Sequence, residues 1–166
     1  MMCELTYEKL TELLEYNPAT GIFTRRVSTS NAIKAGDVAG WTDGHGYTCI
    51  SLLNETWKAH RLAHFYMTGQ WPFADIDHKD TDRSNNRWDN LRESTRTQNL
   101  ANARLSPANT SGLKGASFHK STGKWRATIS VGDRQRYLGL FDCKAAAHFA
   151  YLIEADRLHG EFARAS

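Results

Sequence analysis

Leu5, Leu10, Leu13 and Leu14 recur at helical spacing through LTYEKLTELLEY, and Asn17, Pro18 and Gly21 supply a stop behind them, so a short helix is expected first. GIFTRR, GYTCISLL and ETWKAH are rich in β-branched and aromatic residues and are bounded by Gly or Asn, the pattern of short antiparallel strands. RLAHFYMTG then reads as a helix closed by Gly69 and Pro72. From Phe73 to Leu105 the pattern predicts one short strand, a long polar loop and a helix that Ser94 is placed to cap.

SPANTSG, from Ser106 on, combines Pro, Gly and small polar residues without periodicity, which places a linker at 106–111. Beyond it LKGASFH and GKWRATISV alternate, and RQRYLGLF follows a turn at Gly132 and Asp133, predicting a three-stranded antiparallel sheet. Asp142 is placed to cap a last helix from about Cys143 to His159, with Ala146, Phe149, Ala150 and Ile153 as its apolar face and Gly160 as its end. The expected fold class is α+β in four parts: an N-terminal α+β support region over 1–55, a strand–loop–helix unit over 56–105, the linker, and a sheet packed on one helix over 112–166.

Composition narrows the class. A hydrophobic fraction of 40% in 166 residues is that of a foldable chain. No apolar run approaches the roughly 18 to 20 residues needed to cross a bilayer, and MMCELTYEKL lacks the apolar core of a signal peptide, so a cytoplasmic protein without membrane partners is expected. Cys3, Cys49 and Cys143 are too scattered for a disulfide framework or a zinc site and read as reduced thiols. The net charge of +3 is unevenly spread: Lys and Arg against Asp and Glu run six to seven over 1–70, six to six over 71–108, and nine to five over 109–166. Between Leu113 and Tyr137 six bases face one acid, a basic stripe of the kind that nucleic acid attracts.

The candidate chemistry lies in the middle. Asp77 and His78 are adjacent at the end of the expected strand, Asn90 follows His78 after 12 residues, and Asn99 follows it after 21, on the expected helix. Phosphodiester hydrolysis needs a base for water and a cation for the charge on the phosphate and the departing oxygen. A neutral imidazole suits the first task near pH 7, and Asp and Asn oxygens suit Mg²⁺ for the second. The run Asp80, Asp82, Ser84 does not make a calcium loop, because Asn85 stands where glycine belongs and Leu91 where the bidentate glutamate belongs. His60 and His64, next to an apolar helix face, read as packing residues, and Trp71 and Trp88 as core. His45, His119, His148 and His159 lack metal-ligand spacing.

His60-Arg61-Leu62, Gly69 to Pro72, Asp77-His78, Asn86 with Asn90-Leu91-Arg92, and Gln98-Asn99 together resemble the HNH endonucleases of the phage and intron-associated group, over roughly residues 58 to 102. The resemblance implies a ββα-metal nuclease in which His78 is the general base, Asp77 and Asn99 hold Mg²⁺ or Mn²⁺, and Asn90 bridges the loop and orients His78. It implies a cut leaving a 5′ phosphate and a 3′ hydroxyl.

On one strand Lys124, Arg126, Thr128 and Ser130 share a polar, basic face, while Trp125, Ala127, Ile129 and Val131 share the apolar one. Lys114-Gly115, Lys124 to Ala127, Tyr137-Leu138-Gly139 with Phe141, Ala145 to Ala150 and His159-Gly160 resemble AP2 domains, which read the DNA major groove with a sheet. The resemblance implies contacts to double-stranded DNA from Lys114, Ser117, His119, Lys124, Arg126, Thr128, Ser130 and Tyr137, and Arg134 and Arg136 add charge next to them. The expected protein is a phage homing-type endonuclease, a monomer or a dimer assembled on DNA. The alternative is a non-enzymatic DNA-binding regulator that keeps the nuclease fold as scaffold.

Overall fold

The computed structural model describes residues 5–163 except 104 and 133, with the side chains of 100 and 161 left aside. Cys3 and Asp133 therefore lie outside the described residues. The chain forms two compact units, Met1–Glu93 and Ser94–Ser166. Buried residues from Leu5 to Leu52 share one core with Ala59, Leu62, Phe65, Ile76 and Leu91, and 106–111 lies within the second unit.

In the first unit, α1 (Tyr7–Leu13) starts where Thr6 Oγ1 accepts from Lys9 N at 3.2 Å. The helix stops one leucine earlier than its spacing predicts. Leu14 turns extended and opens β1 (Leu14–Asn17), where Leu14 and Tyr16 alternate inward and the period changes from helix to strand. β1 pairs with β2 (Ile22–Arg25), register Tyr16 to Phe23. Asn17 Oδ1 closes the turn by accepting from Ala19 N and Thr20 N.

A meander follows: β3 (Trp41–Thr42), β4 (Thr48–Leu52) and β5 (Glu55–Lys58), joined between the last two by Leu53 and Asn54, both at positive φ as a tight right-twisting hairpin requires. α2 (Ala59–Thr68) starts directly after β5, so His60, placed by sequence at a strand end, is helical. Gly69 closes it with φ 71°. β6 (Asp75–His78) and β7 (Leu91–Ser94) form a two-stranded sheet, with a 3-10 turn at Trp88–Asn90 between them. Leu5, Leu10, Leu14, Phe23, Ile50 and Leu62 fill the core beneath these elements, and Trp71 and Trp88 pack against it.

In the second unit, α3 (Arg96–Asn102) is capped by Thr95 rather than Ser94. Thr95 Oγ1 accepts from Gln98 N, and Gln98 Oε1 accepts from Thr95 N at 2.8 Å, a reciprocal capping box, while Ser94 is the buried last residue of β7. β8 (Ala116–His119), β9 (Lys124–Val131) and β10 (Arg134–Phe141) form the expected three-stranded antiparallel sheet in the order β10-β9-β8, packed on α4 (Lys144–His159).

Two expectations for α4 change. Its cap is Cys143, whose Sγ accepts from Ala146 N, while Asp142 pairs with Lys124 at the surface. Its inward face is Ala147, Tyr151 and Ala155, and Phe149 and Ile153 are exposed. The sheet requires a close approach that small residues and one flat ring allow. A Cβ on Gly115 (φ 74°) would stand 2.2 Å from the Tyr151 ring.

Candidate functional site

Burial and hydrogen bonding concentrate where β6 ends. Asp77, His78, Asn86 and Asn90 are all buried, although each carries polar atoms that burial penalises unless they are bonded. Asn90 holds the loop between β6 and β7 in shape. Its Nδ2 donates to Asp80 Oδ1 at 3.0 Å and to Asn85 O at 2.8 Å, its Oδ1 accepts from Asp80 N, and its carbonyl accepts from Lys79 N. Asn90 thus bonds to Asp80 and Asn85 within the loop, and the side chain on the imidazole is a different one. His78 Nε2 lies 3.2 Å from Asn86 Oδ1.

The Asn86 amide is oriented by its other end, because Nδ2 donates to Ser84 O at 3.0 Å and leaves Oδ1 toward the ring. A neutral His78 then donates from Nε2, and its Nδ1 carries the lone pair that a general base uses. Burial lowers the pKa of His78 below the ordinary value, with the Asn86 bond and the charges of Asp80, Asp77 and Asp82 acting in the opposite direction. Neutrality near pH 7 follows.

Asn86 is itself built in from the N-terminal hairpin. Tyr16 donates its hydroxyl to Asn86 O at 2.6 Å, Trp88 N donates to Pro18 O, and Arg87 Nε donates to Ala19 O. Gly21, at φ 74°, passes so close that a Cβ there would stand 2.4 Å from the Asn86 carbonyl carbon. The support region therefore braces the segment that orients His78. Burial raises the pKa of the Tyr16 phenol, so it stays a donor into alkaline pH as well.

Two further rings adjoin His78. The ring of His60 lies 5.1 Å away edge-on, and that of Tyr47 lies 6.1 Å away. His60 is a packing residue, as its sequence context suggests, yet one packed directly on the candidate base. Its Nδ1 is buried without a hydrogen-bond partner, and burial first, then His78, pushes its pKa down to about 3. His64 instead pairs with Glu93 at 3.0 Å.

Asp77 accepts from Arg92 Nε and Nη2 at 3.2 and 3.1 Å, a buried pair between β6 and β7. Asn99 lies in the second unit, half-buried on α3, where Gln98, its neighbour in the resemblance, belongs to the capping box.

In the second unit the register of the sheet divides the expected DNA-facing residues. Ser117 pairs with Arg126, His119 with Lys124 and Tyr137 with Thr128, and Ser130 continues the same side of β9. Arg134 pairs with Val131 and Arg136 with Ile129, which places both arginines on the other side, toward α4. Arg136 donates to Glu154 of α4 at 2.7 Å. A bulge between Tyr137 and Gly139 is where β10 changes register, and Leu138 packs into the core there. Lys114 also departs from the expected surface, since its ammonium donates to the carbonyls of Ala101 and Ala103 at the end of α3. A cleft of about 480 Å³ opens beside the polar face, lined by Ser117, Arg126, Thr128 and Ser130 with Thr97 and Ala101 of α3.

Residues 58–101 match the HNH endonuclease family. Protein 3.8 of Escherichia phage T7 is 36% identical over 89 residues, which are 54% of this chain and 73% of that protein. The chain belongs to the HNH endonuclease family. A solved structure described as DNA binding and cleavage by the HNH homing endonuclease I-HmuI is similar at 19% identity and a TM-score of 0.42, covering 88% of this chain and 84% of that one.

The matched segment of this HNH chain runs from α2 to α3 and contains His60, Asp77, His78, Asn86, Asn90 and Asn99. HNH nucleases typically use a divalent metal. The carboxylate oxygens of Asp77, next to His78 in the chain, are donors that suit a hard cation. Among the described residues no three His, Cys, Asp or Glu side chains gather as a cage. Among the described residues no helix is long and apolar enough to cross a membrane.

Sequence reading gave Asn86 a place in the motif but no task, and gave Tyr47 none. The available signal was their chemistry: a second Asn four residues before Asn90, and an aromatic residue directly after a turn glycine.

Proposed function

We propose that this chain is a divalent-metal-dependent endonuclease that hydrolyses phosphodiester bonds of double-stranded DNA. We place it among phage homing-type enzymes, with the C-terminal AP2-like sheet as the element that locates the site. The observation that carries the reading is the buried His78, held through Nε2 by an oriented Asn86 and flanked by buried Asp77. A solvated surface histidine has no need of that support.

In this reading His78 Nδ1 takes the proton from the attacking water, Asn86 fixes the tautomer, and Asn90 keeps the loop closed around both. Asp77 and Asn99 are the proposed ligands of Mg²⁺ or Mn²⁺, with Arg92 setting the position of the Asp77 carboxylate. A cation held there would supply Lewis-acid stabilisation of the negative charge that develops during phosphodiester hydrolysis. The products are a 5′ phosphate and a 3′ hydroxyl. The polar sheet face of Ser117, His119, Lys124, Arg126, Thr128, Ser130 and Tyr137 supplies phosphate and groove contacts. A phage setting is supported by the relative in phage T7.

Incubation of supercoiled plasmid with wild type and His78→Ala, with Mg²⁺ and with chelator, tests the assignment. Metal-dependent cutting that the substitution abolishes is expected. Tight DNA binding by both proteins without cutting under Mg²⁺ or Mn²⁺ overturns it and leaves a DNA-binding regulator on a nuclease scaffold.

A further inference from the structure

Arg83 lies in the loop that follows His78, and its guanidinium carbon stands 4.8 Å from the centroid of the Tyr47 ring, close enough for a cation–π contact. Its Nη1 donates to His45 O at 3.0 Å, which ties the loop to the β3–β4 hairpin. The same Tyr47 ring lies 5.3 Å from His60 and 6.1 Å from His78. Arg83 is thus an exposed cation fixed at one ring's remove from the candidate base.

The nearby acids are engaged elsewhere. Asp80 accepts from Asp82 N, Asn85 Nδ2 and Asn90 Nδ2, and Asp82 accepts from Ser84 N and Oγ. Lys58, whose ammonium stands 5.1 Å from the same Tyr47 ring, is paired with Asp43 and Cys49, so its charge is matched. Among the described residues no carboxylate pairs with Arg83. A guanidinium has five N–H donors, and one of them is used here.

We infer that Arg83, held over Tyr47, binds a backbone phosphate of DNA at the nuclease site, with Tyr47 as its positioning residue. The chemistry of the ligand follows from the donors. A planar fork with free N–H groups matches the two non-bridging oxygens of a phosphodiester. Stacking on Tyr47 and the bond to His45 remove rotamer freedom before DNA arrives, which lowers the entropic cost of the contact. With only the Tyr47 ring between Arg83 and His78, the bound phosphate is one near the cleaved bond. This inference rests on the nuclease reading and adds to it a strand-anchoring group contributed jointly by the His78 loop and the β3–β4 hairpin.

The test uses the full chain, measuring duplex binding by fluorescence anisotropy against salt and plasmid cleavage for wild type, Arg83→Gln, Arg83→Lys, Tyr47→Phe, Tyr47→Leu and His78→Ala. Arg83→Gln should raise KM about tenfold, with kcat less affected, and reduce the salt slope of binding by roughly 0.9. Arg83→Lys should keep the slope because it keeps the charge. Tyr47→Phe should behave as wild type, because the ring remains, whereas Tyr47→Leu should raise KM in the same direction as Arg83→Gln. Unchanged KM and slope in Arg83→Gln, with cleavage still abolished by His78→Ala, overturn this inference and leave the nuclease reading intact. Undiminished cutting by His78→Ala overturns the assignment of His78 as the base, and the absence of metal-dependent cutting by wild type overturns the nuclease reading. A reduced slope in Arg83→Gln would then still show Arg83 on a phosphate.

Discussion

Asn86 Oδ1 faces His78 Nε2 at 3.2 Å, and Asn86 itself is held by the Tyr16 hydroxyl on its carbonyl and by Ser84 O on its amide nitrogen. The order of support therefore runs from an N-terminal hairpin through one asparagine to the imidazole. Asn86→Ala should reduce kcat by about tenfold to a hundredfold, the usual size for loss of a group that orients a functional histidine. KM should change little, since Asn86 is buried. Steady-state cleavage kinetics separate the two parameters.

Arg92→Ala should destabilise the first unit by about 3–5 kcal/mol, because it leaves the Asp77 carboxylate buried without its guanidinium. Urea denaturation gives the value. An unchanged midpoint would mean that Asp77 gains water on losing Arg92.

Stability should fall on acidification. His60 titrates near 6.5 when unfolded and at about 3 when folded, so below 6.5 the unfolded chain binds the proton and the folded chain does not. Its contribution is complete above pH 6.5 and is lost as the pH falls toward 3, and His78, also lowered, acts in the same direction. Between pH 7 and pH 5 His60 alone accounts for at most about 2 kcal/mol. Denaturation at the two pH values should show a smaller loss for His60→Gln than for wild type, with wild-type stability independent of pH as the contrary result.

Arg126→Gln and Arg136→Gln should differ in DNA binding although both remove one charge from adjacent strands. Arg126 lies on the polar side of the sheet, and its loss should lower the salt slope by roughly 0.9. Arg136 lies toward α4 in contact with Glu154, and its loss should leave the slope near wild type. Equal effects would show that the two sides of the sheet contribute alike.

Several features were legible without coordinates because they depend on local chemistry. Alternation fixed the two faces of β9, Gly69 ended α2, and the Asp77-His78 pair with its later asparagines marked the site. Periodicity is a property of neighbours in the chain, and capping and turns extend over only a few residues. Where two local solutions competed, packing chose between them. Thr95 and Cys143 cap α3 and α4 instead of Ser94 and Asp142, since Ser94 is occupied in a strand and Asp142 has turned to Lys124. The inward face of α4 is set by Ala147 against the sheet, and the larger Phe149 and Ile153 remain outside, because the close approach at Gly115 and Tyr151 favours small side chains there.

The sequence by itself determined the α+β elements, the family motif and the candidate base. Only the tertiary structure decided that Asn86 rather than Asn90 meets His78, that Tyr16 and Gly21 hold Asn86 in place across 70 and 65 residues, and that Arg134 and Arg136 leave the polar face. The reason is physical. Which asparagine reaches an imidazole depends on loop closure and strand register, and both are set by contacts between residues far apart in the chain.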